Sequence, residues 1–180
     1  MINSWLKSGF SASQILKYIC RPLMKILFVC LGNICRSPMA EGILKNLASH
    51  ENLELEIASA GTEPYHVGEH ADARAIRTAA LFGVDISNHI AAQISKRDFK
   101  QYDLIYAMAT DVYDLLRVQV KYASDLEKLK LFMDELHPGK SLSVPDPWYG
   151  NEAGFKPVYD LIEDGCKAIV KNLKTQKLIA

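Results

Sequence analysis

Between Lys25 and Gly42 the chain reads KILFVCLGNICRSPMAEG, and this stretch constrains the fold more than any other. A short apolar, β-favouring run ends in Cys30, a loop containing Gly32 and Asn33 follows, and Ser37-Pro38 opens a helical pattern. A strand passing through such a loop into a helix aims backbone N–H groups and the positive end of the helix dipole into one small hollow, where anions collect. Gly32 and Asn33 tolerate positive φ, which a loop needs if its N–H groups are to curl inward. A thiol at the strand end lies within that field, which favours its thiolate for the reason it favours a phosphate. Arg36, six positions after Cys30, carries a planar fork of donors matched to two phosphate oxygens. From the residues alone, nucleophile and oxyanion clamp share one loop. The plainer alternative is a buried cysteine closing a core strand, with Arg36 solvated on the first helical turn.

The rest of the chain alternates strands with helices. Pro38 to Ser49 carries Met39, Ile43, Leu44 and Leu47 at helical spacing. Leu53 to Ala58 reads as a strand ended by Ser59-Ala60-Gly61, and Ala71 to Phe82 as a helix stopped by Gly83. Asp103 to Met108 is a strand, Asp111 to Gln119 a helix, and Leu129 to Met133 a short strand. Ser141 to Gly150, where Pro145 and Pro147 bracket Asp146, reads as a loop. Ala153 to Lys174 closes the chain as a long helix with Phe155, Tyr159, Ile162, Cys166, Ile169 and Val170 turned inward. This order implies an α/β fold, a parallel sheet with helices on both faces. Ligands of such sheets bind beyond the carboxyl ends of the strands, which is where Cys30 and the loops after Ser59 and Met108 fall.

Composition limits the functions open to this chain. With 180 residues, 49% of them hydrophobic, it can bury the core of one domain without metal or disulfide help. Lys and Arg number 21, as do Asp and Glu, so no global field draws nucleic acid or an anionic membrane, and any anion selectivity is local. Four cysteines without paired spacing indicate neither a zinc site nor a secreted disulfide scaffold, and a reducing cytoplasm suits a working thiolate. In residues 1–23, Trp5, Leu6, Phe10, Ile15, Leu16, Tyr18 and Ile19 are scattered, with no continuous apolar core of signal-peptide or membrane-spanning length. They are expected to form an N-terminal extension before a domain spanning 24–180. The extension reads as a loosely docked leader or as a short helix for a membrane surface or a partner.

Val29-Cys30-Leu31-Gly32-Asn33-Ile34-Cys35-Arg36-Ser37-Pro38 resembles the phosphate-binding loop of the low molecular weight protein tyrosine phosphatases. More than a hundred residues downstream, Asp146-Pro147-Trp148-Tyr149-Gly150 resembles that family's general-acid loop. The resemblance runs from about Met24 to the C-terminus. It implies a single-domain three-layer sandwich with a four-stranded parallel sheet in the order 2-1-3-4, flanked by helices on both faces. It also implies hydrolysis of phosphotyrosine and aryl phosphates through a cysteinyl-phosphate, without metal or organic cofactor. Cys30 would be the nucleophile, Arg36 the clamp and Asp146 the general acid, with Leu31, Gly32, Asn33, Ile34, Cys35, Arg36 and Ser37 forming the loop. Ser37 would donate to the thiolate, with Asn33 and His89 holding the loop, while Trp148, Tyr149 and Leu55 would wall the pocket. Cys35 would trap an oxidised Cys30 as a reversible disulfide. The partner would be a phosphotyrosine protein, and bacterial relatives extend this to an exopolysaccharide tyrosine kinase.

Several plainer roles stay open beside these. Asp146 could be an exposed turn aspartate, His89 a surface histidine and Cys35 a small hydrophobe under the loop. The chain departs from the family at Trp148, where Tyr is frequent, and at Ala109, where Asp usually follows Met108. Two rival functions share the loop. Thiol-dependent arsenate reduction requires further redox cysteines, and none stands between Cys35 and Cys166. A non-catalytic phosphate-binding or redox-sensing module would dispense with the acid, whereas Asp146 is present. Nothing in the sequence speaks to oligomeric state.

Overall fold

Seven residues of near-continuous apolar character, Met24–Cys30, form strand β1, and from Ile26 to Cys30 every one is buried. A strand this apolar must be covered on both faces, so it belongs at the centre of a parallel sheet. The computed structural model, which describes residues 23–179, has β1 there. Its neighbours are β2 (Leu55–Gly61), β3 (Leu104–Ala107) and β4 (Leu129–Leu131), in the order β2-β1-β3-β4, with every pairing parallel. The family's expected sheet is thus the observed one. Apart from Leu23, the expected N-terminal extension lies outside the described residues.

The period-two alternation of β1 sorts its side chains into two layers. Ile26, Phe28 and Cys30 face helices α1 (Arg36–His50) and α6 (Phe155–Ile179), packing with Met39, Ile43, Leu44, Tyr159 and Ile162. Helix α2 (Ala73–Leu81) joins that layer. Leu27 and Val29 face the opposite layer, where Phe99 of α3 (Asp98–Gln101) and Val112 and Leu116 of α4 (Thr110–Gln119) cover them. A further short helix, α5 (Ala123–Leu126), precedes β4.

Element boundaries moved where tertiary contacts overrode local signals. Strand β2 begins at Leu55 and runs through Ser59-Ala60-Gly61, because the ladder with β1 extends to the pair Cys30 and Gly61. Helix α2 starts at Ala73, since the Asp72 carboxylate caps it by accepting from the Arg74 N–H at 2.7 Å. After Leu131 the chain turns into a 3₁₀ segment, Phe132–Glu135, instead of continuing as strand to Met133. That turn puts the Phe132 ring edge-on to Phe28, with centroids 5.9 Å apart. A Cβ on Gly165, in the middle of α6, would stand 2.4 Å from the same ring, so the glycine there keeps α6 close. The four-residue helices α3 and α5 left no periodic trace in the sequence. Among the described residues no helix is long and apolar enough to cross a membrane.

Candidate active site

Beyond the carboxyl end of β1 the chain curls through Leu31–Cys35 and enters α1. The curl is stabilised from outside by its carbonyls. Cys30 O accepts from Thr62 N–H at 3.0 Å, Leu31 O from Glu63 N–H at 3.0 Å and Ile34 O from Asp72 N–H at 2.8 Å. His89 Nε2 lies 2.9 Å from Asn33 O, and Met39 N–H donates to Cys35 O. In a trans peptide the N–H of the next residue points away from such a carbonyl, so the following amides turn into the loop. Asn33 takes the positive φ of 56° expected of it, and its own N–H donates to Cys30 Sγ at 3.2 Å. Gly61 lets β2 approach: a Cβ there would lie 2.8 Å from Leu31 O and 3.2 Å from Asn33 N.

Cys30 is buried, and its Sγ lies 3.0 Å from Ser37 Oγ. The Asn33 carboxamide holds this pair: Nδ2 donates to Ser37 Oγ and to Ser59 Oγ, both at 2.9 Å, while Oδ1 accepts from Ala92 N–H at 2.9 Å. Ser59 Oγ in turn donates to Glu41 Oε2 at 2.6 Å, and the same oxygen lies 3.7 Å from His89 Nδ1. Burial pushes the His89 imidazolium toward its neutral form, below the ordinary value of 6.5, with the Asn33 carbonyl and then Glu41 opposing. Glu41 and Ser59 were not picked out from sequence. Glu41 is one of several polar residues on α1, and Ser59 reads as a strand terminator.

Arg36 is buried on the first turn of α1. Its Nη2 donates to Asp146 Oδ2 at 2.5 Å and its Nη1 to Val144 O at 3.4 Å, while the buried Nε has no partner among the described residues. An unpaired buried donor on a guanidinium is costly, and an oxyanion seated in the loop would satisfy it. Asp146 Oδ1 accepts from Trp148 N–H at 3.1 Å, capping a 3₁₀ turn over Pro147–Tyr149. The thiol and guanidinium, from one loop, and a carboxylate 110 residues beyond Arg36 thus line a single hollow of about 190 Å³. Trp148 and Tyr149 wall one side of it.

Leu55 does not reach this hollow. It opens β2 opposite Met24, six rungs below the Cys30 and Gly61 pair, so at about 3.3 Å per residue it lies some 20 Å down the sheet. The aromatic lining is completed instead by Tyr65 and His66, from the loop after β2, with the His66 ring tilted against Trp148 at 5.6 Å. The rule that ligands meet the carboxyl ends of strands already pointed to that loop. At the Ala109 departure, α4 begins without a side-chain cap from that position, and Ser143 Oγ accepts from Thr110 N–H at 3.0 Å. Cys35 lines the hollow beside Cys30. Burial, then the Asp72 carboxylate, pushes its thiol well above the ordinary range, so at neutral pH it is protonated. Cys166 is fully buried in α6 with Sγ 3.7 Å from Ala40 O, remote from oxidants and substrates alike.

Comparison with known proteins places this geometry. The family described as low molecular weight phosphotyrosine protein phosphatase matches residues 25–178. The chain belongs to that family. A putative low molecular weight protein-tyrosine-phosphatase from Synechocystis is 40% identical over 152 residues, 83% of this chain and 96% of the relative. Among solved structures, a protein tyrosine phosphatase from Entamoeba histolytica with Hepes in its active site is similar at a TM-score of 0.80 and 38% identity, covering 86% of this chain and 99% of its own. Wzb from Vibrio vulnificus, in complex with benzylphosphonate, has a TM-score of 0.73 at 32% identity, with coverage of 84% and 99%. The protein is accordingly a protein-tyrosine phosphatase of the low molecular weight type.

Proposed function

We propose that this phosphatase hydrolyses phosphotyrosine and other aryl phosphates in two steps on Cys30. In the first, Cys30 Sγ attacks phosphorus in line. The inward amides and the Arg36 guanidinium stabilise charge on the equatorial oxygens, and the S–P bond forms as the bond to the phenolic oxygen breaks. Asp146 gives its proton to the departing phenolate. In the second step Asp146 takes a proton from water as that water attacks the phosphocysteine, releasing inorganic phosphate and the thiolate. Ser37 Oγ and the Asn33 amide supply donors to the sulfur, and Asn33, His89, Ser59 and Glu41 keep them aimed.

The observation that carries this reading is the convergence of Cys30, Arg36 and Asp146 on one hollow, with the buried Arg36 Nε awaiting an acceptor. Substrate choice follows from the walls. Tyr65, His66, Trp148 and Tyr149 all line the hollow, an aromatic lining suited to a phenyl group, and the benzylphosphonate held by the Vibrio vulnificus relative supports an aromatic group there. The natural substrate would be a phosphotyrosine protein, and an exopolysaccharide tyrosine kinase is the partner to test first. Cys35, protonated beside Cys30, is read as the thiol that reverses oxidation of the nucleophile.

Acid quenching of the enzyme during turnover of ³²P-labelled aryl phosphate should trap label on the Cys30 peptide. Cys30→Ser should abolish turnover and labelling, and Arg36→Lys should come close to it, because an ammonium cannot form the bidentate fork. Label elsewhere, or Cys30→Ser activity within about tenfold of wild type, refutes the assignment. Parallel assays with p-nitrophenyl phosphate and arsenate, without added metal, separate hydrolysis from arsenate reduction and from mere phosphate binding.

A further inference from the structure

Asp146 sits on a span of backbone that is pinned at both ends. Upstream, Val144 N–H donates to Met108 O at 2.8 Å, tying the span to the end of β3. Downstream the anchor is a side chain, Arg74, on the first turn of α2. Its Nη1 donates to Gly150 O at 3.0 Å and to Trp148 O at 3.4 Å. The guanidinium carbon also lies 5.4 Å from the Trp148 ring centroid and 4.7 Å from that of Phe155. The remaining donors are spent on Asp72, Nε to Oδ1 at 2.9 Å and Nη2 to Oδ2 at 2.8 Å. Asp72 is itself tied to the phosphate loop, its N–H donating to Ile34 O at 2.8 Å.

We propose that Arg74 is a positioning residue for the general acid, one end of a strut that runs from Ile34 through Asp72 and Arg74 to Trp148 and Gly150. The proposal rests on the reading of Asp146 as that acid. The strut matters because Asp146 is paired with Arg36, the group that must receive the phosphate. When phosphate takes the guanidinium, the Asp146 carboxyl has to leave it and meet the leaving oxygen. With residues 144, 148 and 150 fixed, that move is a turn of one side chain; without Arg74 it becomes a displacement of the loop. A local salt bridge on a helix terminus would need only Asp72 and Arg74. The two carbonyls and two rings reached 74 to 81 positions away in sequence have no use in such a pair.

Single-turnover rates of wild type, Arg74→Gln, Asp146→Asn and the double variant, measured with p-nitrophenyl phosphate and with phenyl phosphate, test this. Proton donation matters most for the more basic phenolate. Arg74→Gln should therefore cost about ten- to a hundredfold on phenyl phosphate, as a misplacement of about 1 Å does, and only a few-fold on p-nitrophenyl phosphate. In the Asp146→Asn background it should add less than about twofold, since there is no acid left to aim. Equal loss on both substrates, no loss, or the same factor with and without Asp146 overturns the proposal. If Arg74→Gln fails to fold, Asp72→Asn, which keeps the helix cap but weakens the fork, is judged by the same criteria. If Asp146→Asn alone shows no difference between the two leaving groups, the acid assignment itself has failed and the positioning role goes with it.

Discussion

Asp146, proposed above as the acid, is held against Arg36, the proposed phosphate clamp, and that contact has a measurable consequence. Asp146 Oδ2 lies 2.5 Å from Arg36 Nη2, with the two side chains 26% and 8% exposed. An arriving phosphate must displace this carboxylate, so Asp146→Asn should bind inorganic phosphate more tightly than wild type while losing the acid. A carboxamide oxygen would keep a hydrogen bond that the Arg36 charge still assists, so what the variant loses is the attraction of the second charge, which at a half-sheltered site exceeds the roughly 0.2–1 kcal/mol of an exposed pair. Taken as about 0.5–2 kcal/mol, that attraction corresponds to roughly two- to thirtyfold in affinity at 1.4 kcal/mol per decade. Loss of repulsion between carboxylate and phosphate acts in the same direction. Isothermal titration of phosphate into both proteins, with competitive inhibition as a second measure in the wild type, reads the change. Affinity that is equal or weaker in the variant would show that the ion pair is not what phosphate displaces.

Two further outcomes follow from the surroundings of the loop. Burial lowers the His89 pKa below 6.5 in the folded state, so the unfolded chain takes up a proton that the folded one refuses. The contribution is full above about pH 6.5 and is lost as pH falls toward the folded value. The thermal midpoint should therefore fall between about pH 7.5 and 5.5, and His89→Gln, which keeps an amide donor for the Asn33 carbonyl, should flatten that fall; superimposable pH profiles refute the assignment. Gly61→Ala pushes a methyl against Leu31 O at 2.8 Å, an overpacking cost of about 1–3 kcal/mol delivered to the phosphate loop. Phosphate affinity should drop together with the thermal midpoint, and a destabilised variant that binds phosphate normally would disprove the link.

What could be read from sequence was the chemistry confined to neighbours in the chain. Lys25 to Gly42 announces strand, loop and helix because an apolar run, Gly32-Asn33 and Ser-Pro follow in order; Asn33 takes positive φ, whereas Gly32 does not and instead makes room for His66, whose Cδ2 a Cβ there would meet at 2.9 Å. The sheet order was legible through family resemblance and the apolar β1, which has to be central. The resemblance sets Leu55 where vertebrate members of the family carry a tryptophan in the second-strand loop, but Leu55 opens β2 at the far end of the sheet, and β2 runs on to Gly61 because pairing with β1 overrides Ser59-Ala60 as a stop. Glu41, Ser59, Asp72 and Arg74 escaped because each looks ordinary in its own segment: two lie on helices, one caps a helix and one lies within a strand. Their roles exist only through partners that folding brings in from dozens of residues away.

The wiring of the phosphate loop bears on when the molecule becomes reactive. Asn33 is held by Ser59, His89 and Ala92, contacts spanning 26, 56 and 59 residues, and Arg36 meets Asp146 across 110. Each closes a long stretch of chain whose entropy must be lost before the bond is gained. The loop is therefore no autonomous module: α1 can form early on a nascent chain, yet the contacts around Cys30 are complete only when nearly the whole domain has assembled. Recovery of turnover during refolding should accordingly trail recovery of helical signal, the order expected when non-local contacts form last.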